Sequence, residues 1–126
     1  MNRKISKLFS LEGKVACITG ASNGLGQEVA STLVENGARV IGIARNKNLL
    51  ESWSQKTGCN AAYITSDLTD RNNIKKITTQ ISEFFGPPDI LINAAGVNTR
   101  EHADDVTFDN WDKTIELNLA APFFIA

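Results

Sequence analysis

Short apolar runs alternate along this chain with segments whose apolar residues recur at helical spacing. The apolar runs cover residues 14–19, 38–44, 61–65 and 90–92. Each run has the length of a buried strand, and glycine or proline closes the helical segment after each of the first three. Strands that alternate with helices in this way pair in parallel through right-handed crossovers. The sequence therefore predicts an α/β fold, a doubly wound parallel sheet of the Rossmann type with about four strands and flanking helices.

The helical segments carry apolar stripes, of which the first and the last bear on the site. The stripe after the first strand consists of Leu25, Val29, Leu33 and Val34. Near the end of the chain, Thr107 is a candidate N-cap, and Pro122 is expected to bend or end the helix that follows. The stripe of this last helix, which we expect to face the sheet, consists of Phe108, Trp111, Ile115 and Leu119.

The composition is typical of a globular domain and argues against several classes of partner. The chain has 126 residues, 42% of them hydrophobic, and we expect one domain over residues 1–126 with a solvated leader at 1–10. A formal net charge of −1 favours neither nucleic acid nor a membrane as a partner. No apolar stretch has the features of a signal peptide or a membrane span. Cys17 and Cys59 lack metal-site spacing, which favours structural thiols, no metal and a cytoplasmic location.

Three glycines fall in one turn directly after the first apolar run, in the stretch TGASNGLG at residues 19–26. Between a strand and a helix, glycine lets backbone N–H groups and the positive end of the helix approach a phosphate directly. We interpret the turn as a dinucleotide-binding site; the alternative is a turn that needs glycine for its conformation alone. The predicted cofactor-binding residues of this turn are Gly20, Ser22, Asn23, Gly24, Leu25 and Gly26.

The end of the second predicted strand indicates which dinucleotide is bound. A free ribose 2′-hydroxyl is usually held by an acidic residue about twenty positions after the glycines. This chain has Arg45 and Asn46 there and no acid. The guanidinium fork of Arg45 suits a 2′-phosphate, and Asn46 or Asn23 adds hydrogen-bonding groups without repelling it. The sequence therefore predicts NADP(H) as the cofactor in preference to NAD, the alternative being a solvated cation at the strand end.

Four motifs, in order and at the right spacing, resemble those of the short-chain dehydrogenase/reductase family. They are the TGxxxGxG pattern of residues 19–26, SDLTD at 66–70, INAAG at 92–96 and ELNLAAPFF at 116–124. The resemblance implies that Asp67, with Leu68, contacts the adenine. It places Asn93, Ala94 and Gly96 at the cofactor and makes Asn118 the catalytic asparagine. Asp67 as a simple turn residue and Asn93 as strand-end structure are the alternatives.

The family's catalytic serine and YxxxK motif are not found in this sequence. Tyr63 is followed four residues later by Asp67 in place of lysine, and His102 is expected to be a loop residue. The resemblance therefore implies an incomplete sheet, the cofactor-binding part of an enzyme. In complete form it would transfer a hydride between nicotinamide and a small-molecule carbonyl or secondary alcohol, often as a homo-oligomer. Whether the protein is an enzyme stays open, and this chain alone, without those residues, is expected to be inactive. The alternatives are a non-catalytic nucleotide-binding or sensor protein and a truncation product.

Overall fold

The computed structural model describes residues 3–126, so the first two residues of the predicted leader lie outside the described part. The four strands are β1 (Val15–Thr19), β2 (Arg39–Ala44), β3 (Ala61–Thr65) and β4 (Ile90–Asn93). The helices are α1 (Arg3–Phe9), α2 (Gly24–Glu35), α3 (Lys47–Thr57), α4 (Arg71–Phe85), α5 (Phe108–Ile115) and α6 (Ala121–Ile125). A 3₁₀ turn covers Ala103–Asp105, and a π-helical turn, Glu116–Ala120, joins α5 to α6.

All strand pairs are parallel, and the order across the sheet is β3-β2-β1-β4. The chain order reverses at β1, which pairs with β2 on one side and with β4 on the other. At its carboxyl end, Thr19 lies opposite Ile43 on β2 and Asn93 on β4. A crevice forms where the chain order reverses. The predicted doubly wound Rossmann-type sheet is confirmed.

Both faces of the sheet are covered, because successive side chains of a strand point to opposite faces. On one face, Cys17 and Ile41 pack with the buried residues of α4 and α6. On the other face, Ile18 and Val40 pack with residues of α2 and α3, including Trp53. Strands β1 and β2 are therefore buried on both faces, which explains their nearly continuous apolar sequences.

The leader and α2 differ in part from what the sequence suggests. Residues 3–9 form α1, which the sequence analysis does not predict. Leu25 is not a core residue, because its side chain is 85% exposed. It lies in the first turn of α2 and lines the cleft at the end of the sheet, while Ala30 further along the same helix is fully buried.

The last helical segment contradicts the expected burial of its stripe and rules out one of the two expected effects of Pro122, an end to the helix. The side chains of Phe108, Trp111 and Leu119 are exposed, so this stripe does not face the sheet. Pro122 does not end the helix either; it lies in the first turn of α6. Proline lacks an N–H group and crowds the carbonyl four residues earlier. The π-helical turn relieves this crowding, with the Ala121 N–H donating to the Glu116 carbonyl, five residues back.

Three helices begin at the side-chain caps that their sequences favour. Asn46 accepts a hydrogen bond from the Leu49 N–H, Asp70 from the Asn72 N–H, and Thr107 from the Asn110 N–H. The predicted cap at Thr107 is confirmed. Asn23 occupies the same position before α2, but its side chain makes no capping hydrogen bond.

Within residues 3–126, no helix combines the length and the apolar character needed to cross a membrane. In the same part of the chain, no group of histidine, cysteine, aspartate or glutamate side chains is arranged to hold a metal ion.

The two cysteines differ in burial, and this difference predicts their reactivity. Burial raises the pKa of the Cys17 thiol to about 12, whereas Cys59 is exposed. The thiolate is the reactive form. In the native chain at mildly alkaline pH, we expect Ellman's reagent to modify Cys59 alone, and both cysteines to react after unfolding in guanidinium. The Cys59→Ser variant should show no native reactivity; rapid reaction of Cys17 in that variant would contradict the buried position of β1.

Candidate functional site

A cleft of about 740 Å³ lies over the carboxyl ends of the strands, at the crevice where the chain order reverses. Its walls come from the turn between β1 and α2, the end of β2, the turn after β3, the loop after β4 and Leu117 of the π-helical turn. Cofactor pockets in open α/β sheets occupy this position. The structure brings most of the sequence-predicted site residues together here: Gly20, Ser22, Asn23, Gly24, Leu25, Gly26, Arg45, Asn46, Asp67, Leu68, Ala94 and Gly96.

The three glycines of the turn serve different purposes. A Cβ at Gly20 would lie 2.7 Å from the Ala95 nitrogen, and a Cβ at Gly26 would lie 2.1 Å from the Gly20 carbonyl oxygen. These two glycines are therefore required by the protein's own backbone. Gly24 is different, because its φ is +56° and a Cβ there would meet nothing within 4 Å. The sequence argument attributed all three to a close ligand; only Gly24 has open space toward the cleft.

The amino-terminal end of α2 points at this cleft without a side-chain cap. The Gly20 and Ala21 N–H groups donate to the Ile43 carbonyl, at 2.8 and 3.3 Å, and so hold the turn on β2. Asn23, which precedes the helix, makes no capping hydrogen bond. The first N–H groups of a helix have no partner within the helix, and the helix dipole adds positive charge at this end. This end of α2 can therefore accept an anionic group.

The end of β2 places one cation on the cleft wall. Arg45 is exposed and lines the cleft, and Asn46 uses its side-chain oxygen to cap α3, which leaves its NH₂ group available. Residues 43–46, which form this part of the wall, include no acid. The carboxylate on the cleft wall is that of Asp67, whose pKa is lowered mainly by hydrogen bonds from Thr69 and to a smaller extent by the charge of Arg45.

Asp67 is both a turn residue and a cleft residue. Its Oδ1 accepts hydrogen bonds from the Thr69 N–H at 3.0 Å and from the Thr69 hydroxyl at 2.7 Å. These bonds are the main cause of its pKa lying below the ordinary value, so the group is a carboxylate at neutral pH. The turn interpretation accounts for one carboxylate oxygen. The other oxygen has no hydrogen bond within the described part of the chain, and it can accept one from a ligand.

Asn93 and Asn118 line a second, more open cavity of about 620 Å³ next to the first. The Asn118 side chain is exposed, but two hydrogen bonds hold it in place. Its Nδ2 donates to the Val97 carbonyl at 2.8 Å, and its Oδ1 accepts from the Val97 N–H at 2.9 Å. A Cβ at Gly96 would lie 3.2 Å from this Oδ1. Gly96, which lines both cavities, thus makes room for Asn118.

The sequence analysis missed some residues that build or line the site. Thr19 is 2% exposed, and its hydroxyl accepts the Ala95 N–H at 3.1 Å, which ties the end of β1 to the loop after β4. Its position directly before the glycines was the available signal. Tyr63 and His102 line neither of these two cavities. The other unpredicted lining residues of the first cleft are Ile43, Ala44, Leu49, Ser66, Thr69, Ala95 and Leu117.

The sheet order, the glycine turn and the cleft together define a Rossmann-like nucleotide-binding fold. A family model described as short chain dehydrogenase matches residues 14–126. The chain therefore belongs to the short chain dehydrogenase family.

Sequence similarity to curated proteins agrees with this assignment. The chain is 39% identical over 115 residues to the 3-oxoacyl-(acyl-carrier-protein) reductase FabG of Salmonella typhimurium, covering 91% of this chain and 47% of that protein. It is 35% identical over 120 residues to an NAD-dependent glycerol dehydrogenase of Listeria innocua, covering 95% and 47%. The chain thus spans about half the length of these curated relatives.

Two solved structures share the fold closely. A putative short-chain alcohol dehydrogenase from Sinorhizobium meliloti superimposes with a TM-score of 0.87 at 36% identity, covering 94% of this chain and 48% of that one. A blue fluorescent protein from a metagenomic library, solved in complex with NADPH, gives a TM-score of 0.87 at 30% identity, covering 92% and 49%.

The different purposes of the glycines can be tested by alanine substitution. Gly26→Ala should lower the free energy of unfolding by about 3 kcal/mol or more, because its Cβ has no space. Gly24→Ala should cost only about 1 kcal/mol for its left-handed backbone, but it should weaken NADPH binding. Gly13→Ala is the matched control, since Gly13 also has a positive φ and open space but lies outside the cleft. Urea unfolding and NADPH titration measure the two effects; equal stability losses at Gly24 and Gly26 would contradict this division.

Proposed function

We propose that the chain binds NADP(H) in the 740 Å³ cleft and is the cofactor-binding part of an oxidoreductase. In complete form, this enzyme would transfer a hydride between nicotinamide and a carbonyl or secondary alcohol. The observation that carries the proposal is the uncapped start of α2, which meets the cleft beside the open position at Gly24. A pyrophosphate supplies the negative charge that such a helix end binds.

The cleft offers a group for each remaining part of the dinucleotide. Arg45 would hold the 2′-phosphate through its guanidinium, with Asn46 and Asn23 as neutral neighbours. The free oxygen of the Asp67 carboxylate would accept a hydrogen bond from the adenine amino group. Leu68 and the loop residues Ala94 and Gly96 would provide further contacts to the dinucleotide. Asn93 would support the end of β4 beside them.

The preference for NADP over NAD is a proposal that rests on Arg45. A carboxylate at the end of β2 would hold a free ribose hydroxyl and repel a 2′-phosphate, and residues 43–46 include none. The comparisons point both ways on this choice, because one structural neighbour is in complex with NADPH and one relative is named NAD-dependent.

Asn118 is proposed as a catalytic residue of the complete enzyme. Its side chain is engaged with Val97, so a role in proton transfer would use its backbone carbonyl, as the family resemblance implies. Pro122, four residues further on, has no N–H to donate to that carbonyl. Bound nicotinamide supplies or accepts the hydride. The 126-residue chain lacks the tyrosine and lysine of the YxxxK motif, and we propose that it does not turn over substrate alone.

We also propose that the protein is cytoplasmic and forms a homo-oligomer. The free cysteines suit a reducing compartment. The exposed apolar side chains of α5, the π-helical turn and α6, which we call the α5–α6 apolar surface, support self-association. They are Phe108, Trp111, Leu119, Phe123 and Phe124.

Charge reversal at the end of β2 tests the cofactor assignment. Arg45→Asp should repel the 2′-phosphate and weaken NADPH binding by about 2 kcal/mol, or roughly thirtyfold, while NADH binding is kept or improved. Arg100→Asp is a control with the same change of charge outside the cleft. Fluorescence titration of both cofactors gives the ratio of dissociation constants. A wild-type chain that binds neither nucleotide would refute the proposed function, and an unchanged ratio in Arg45→Asp would refute the NADP assignment alone.

The α5–α6 apolar surface predicts the hydrodynamic behaviour of the chain. By size-exclusion chromatography with light scattering, the purified chain should be larger than a monomer. Phe108→Asp should shift it toward the monomer, because Phe108 is 91% exposed and a charge there disfavours an apolar contact. Phe84→Asp changes an exposed phenylalanine in the last turn of α4, which is not among the residues that define this surface, and should leave the mass unchanged. A monomeric wild-type chain would contradict the proposal.

A further inference from the structure

Arg71 and Glu116 lie 45 residues apart in sequence and meet through a two-point contact. Arg71 Nε donates to one carboxylate oxygen of Glu116 at 3.0 Å, and its Nη2 donates to the other at 2.6 Å. The guanidinium also lies over the ring of Phe124, 5.5 Å from its centre. Among the residues that the structure describes, this is the one salt bridge. A planar fork that pairs with both oxygens and stacks on a ring fixes orientation as well as distance.

Arg71 lies at the start of α4, beside the cleft, where hydrogen bonds hold the backbone in place. It is the first residue of α4 and follows directly on the turn whose residues 66–69 line the cleft. The carbonyl of Asp67 accepts a hydrogen bond from Asn73 Nδ2 at 2.9 Å, and Asp70 caps the helix through the Asn72 N–H, also at 2.9 Å. The backbone of Arg71 is therefore held at a fixed place relative to the turn after β3.

The glutamate opens the segment that serves both cavities. Glu116 is the first residue of the π-helical turn, and its carbonyl accepts the N–H of Ala121 that widens this turn. The next residue, Leu117, lines the nucleotide cleft. Asn118 follows, and its two hydrogen bonds hold Val97 in the loop after β4. A shift of Glu116 therefore displaces a wall of the cleft and the support of that loop together.

The apolar contacts of this segment hold it on the domain but do not include Glu116. Ala121 and Ile125 are buried against the core beside α4, and Leu117 packs partly buried against the same core. These contacts hold one face of the segment, but burial provides no directional contact at Glu116 itself. The fork between Arg71 and Glu116 is directional. Because exposed ion pairs contribute little to stability, its main effect should be on position.

We propose that Arg71 is a positioning residue that acts through Glu116. The contact sets the rotation of the π-helical turn, and thereby places Leu117 in the nucleotide cleft and Asn118 against Val97. Only its consequence for nucleotide binding rests on the proposed function; the placement of Asn118 does not.

The first test measures the placement without any ligand. In Arg71→Met and in Glu116→Gln, the backbone N–H of Val97 should exchange with solvent faster by about fivefold, because its acceptor on Asn118 is no longer held in place. NMR measures this rate. Lys76→Met removes an exposed cation from the same helix and is the control; it should exchange like the wild type. Arg71→Lys keeps the charge without the fork and should be intermediate. An unchanged Val97 rate in Arg71→Met, or in Arg71→Lys if the methionine variant does not fold, would overturn the proposal.

The second test separates positioning from simple charge attraction to the nucleotide. If Arg71 acts through Glu116, both Arg71→Met and Glu116→Gln should weaken NADPH binding, and the double variant should be no weaker than the single ones. Direct attraction predicts opposite signs, because one change removes a positive charge and the other a negative charge. Opposite signs would refute positioning. If the wild type binds no NADPH, the proposed function fails, and Val97 exchange still decides the role of Arg71.

Discussion

The close backbone contact around Gly20 is the constraint on which the site depends. The first turn of α2 can lie directly over the end of β1 only because residue 26 is glycine. A Cβ at this position would lie 2.1 Å from the Gly20 carbonyl oxygen. Gly20 in turn packs on the backbone after β4, where the Thr19 hydroxyl also binds the Ala95 N–H. These contacts join β1, α2 and β4 into one unit. The cleft is the space that this unit leaves over the end of the sheet.

Most of the fold could be predicted from the sequence because its elements are specified locally. Strands β1 and β2 are buried on both faces, so their sequences are continuous apolar runs, and their observed bounds lie within one residue of the predicted ones. The helix caps at Asn46, Asp70 and Thr107 also act over two or three residues. Signals of this range appear in the sequence itself, without knowledge of the partner elements.

What could not be predicted depends on contacts between distant segments. The stripe of α5 has helical spacing, but no neighbouring element in the described structure covers Phe108 or Trp111, and spacing cannot reveal that. The π-helical turn arises because Pro122 lacks an N–H group and crowds the preceding turn, and because the Ala121 N–H donates to the Glu116 carbonyl. In the site, the sequence placed Asn118 on a motif, but its partner Val97 lies 21 residues away and belongs to an irregular loop. Motif spacing identifies a residue's place along the chain and not its hydrogen-bond partners.

The missing cap of α2 connects the stability of the domain with its function. Asparagine is among the best N-cap residues, and a capping side chain contributes about 1 kcal/mol to a helix. Asn23 holds that position with extended backbone angles, yet its side chain does not close on the helix. A capped α2 would satisfy its first N–H groups internally and present less positive charge to the cleft. An anion bound there would stabilise the folded state in place of the absent cap, by an amount that grows with the logarithm of its concentration above the dissociation constant. The same helix end is thus less stable alone and available for a phosphate, which is expected where a binding site and a folding signal compete for one set of backbone groups.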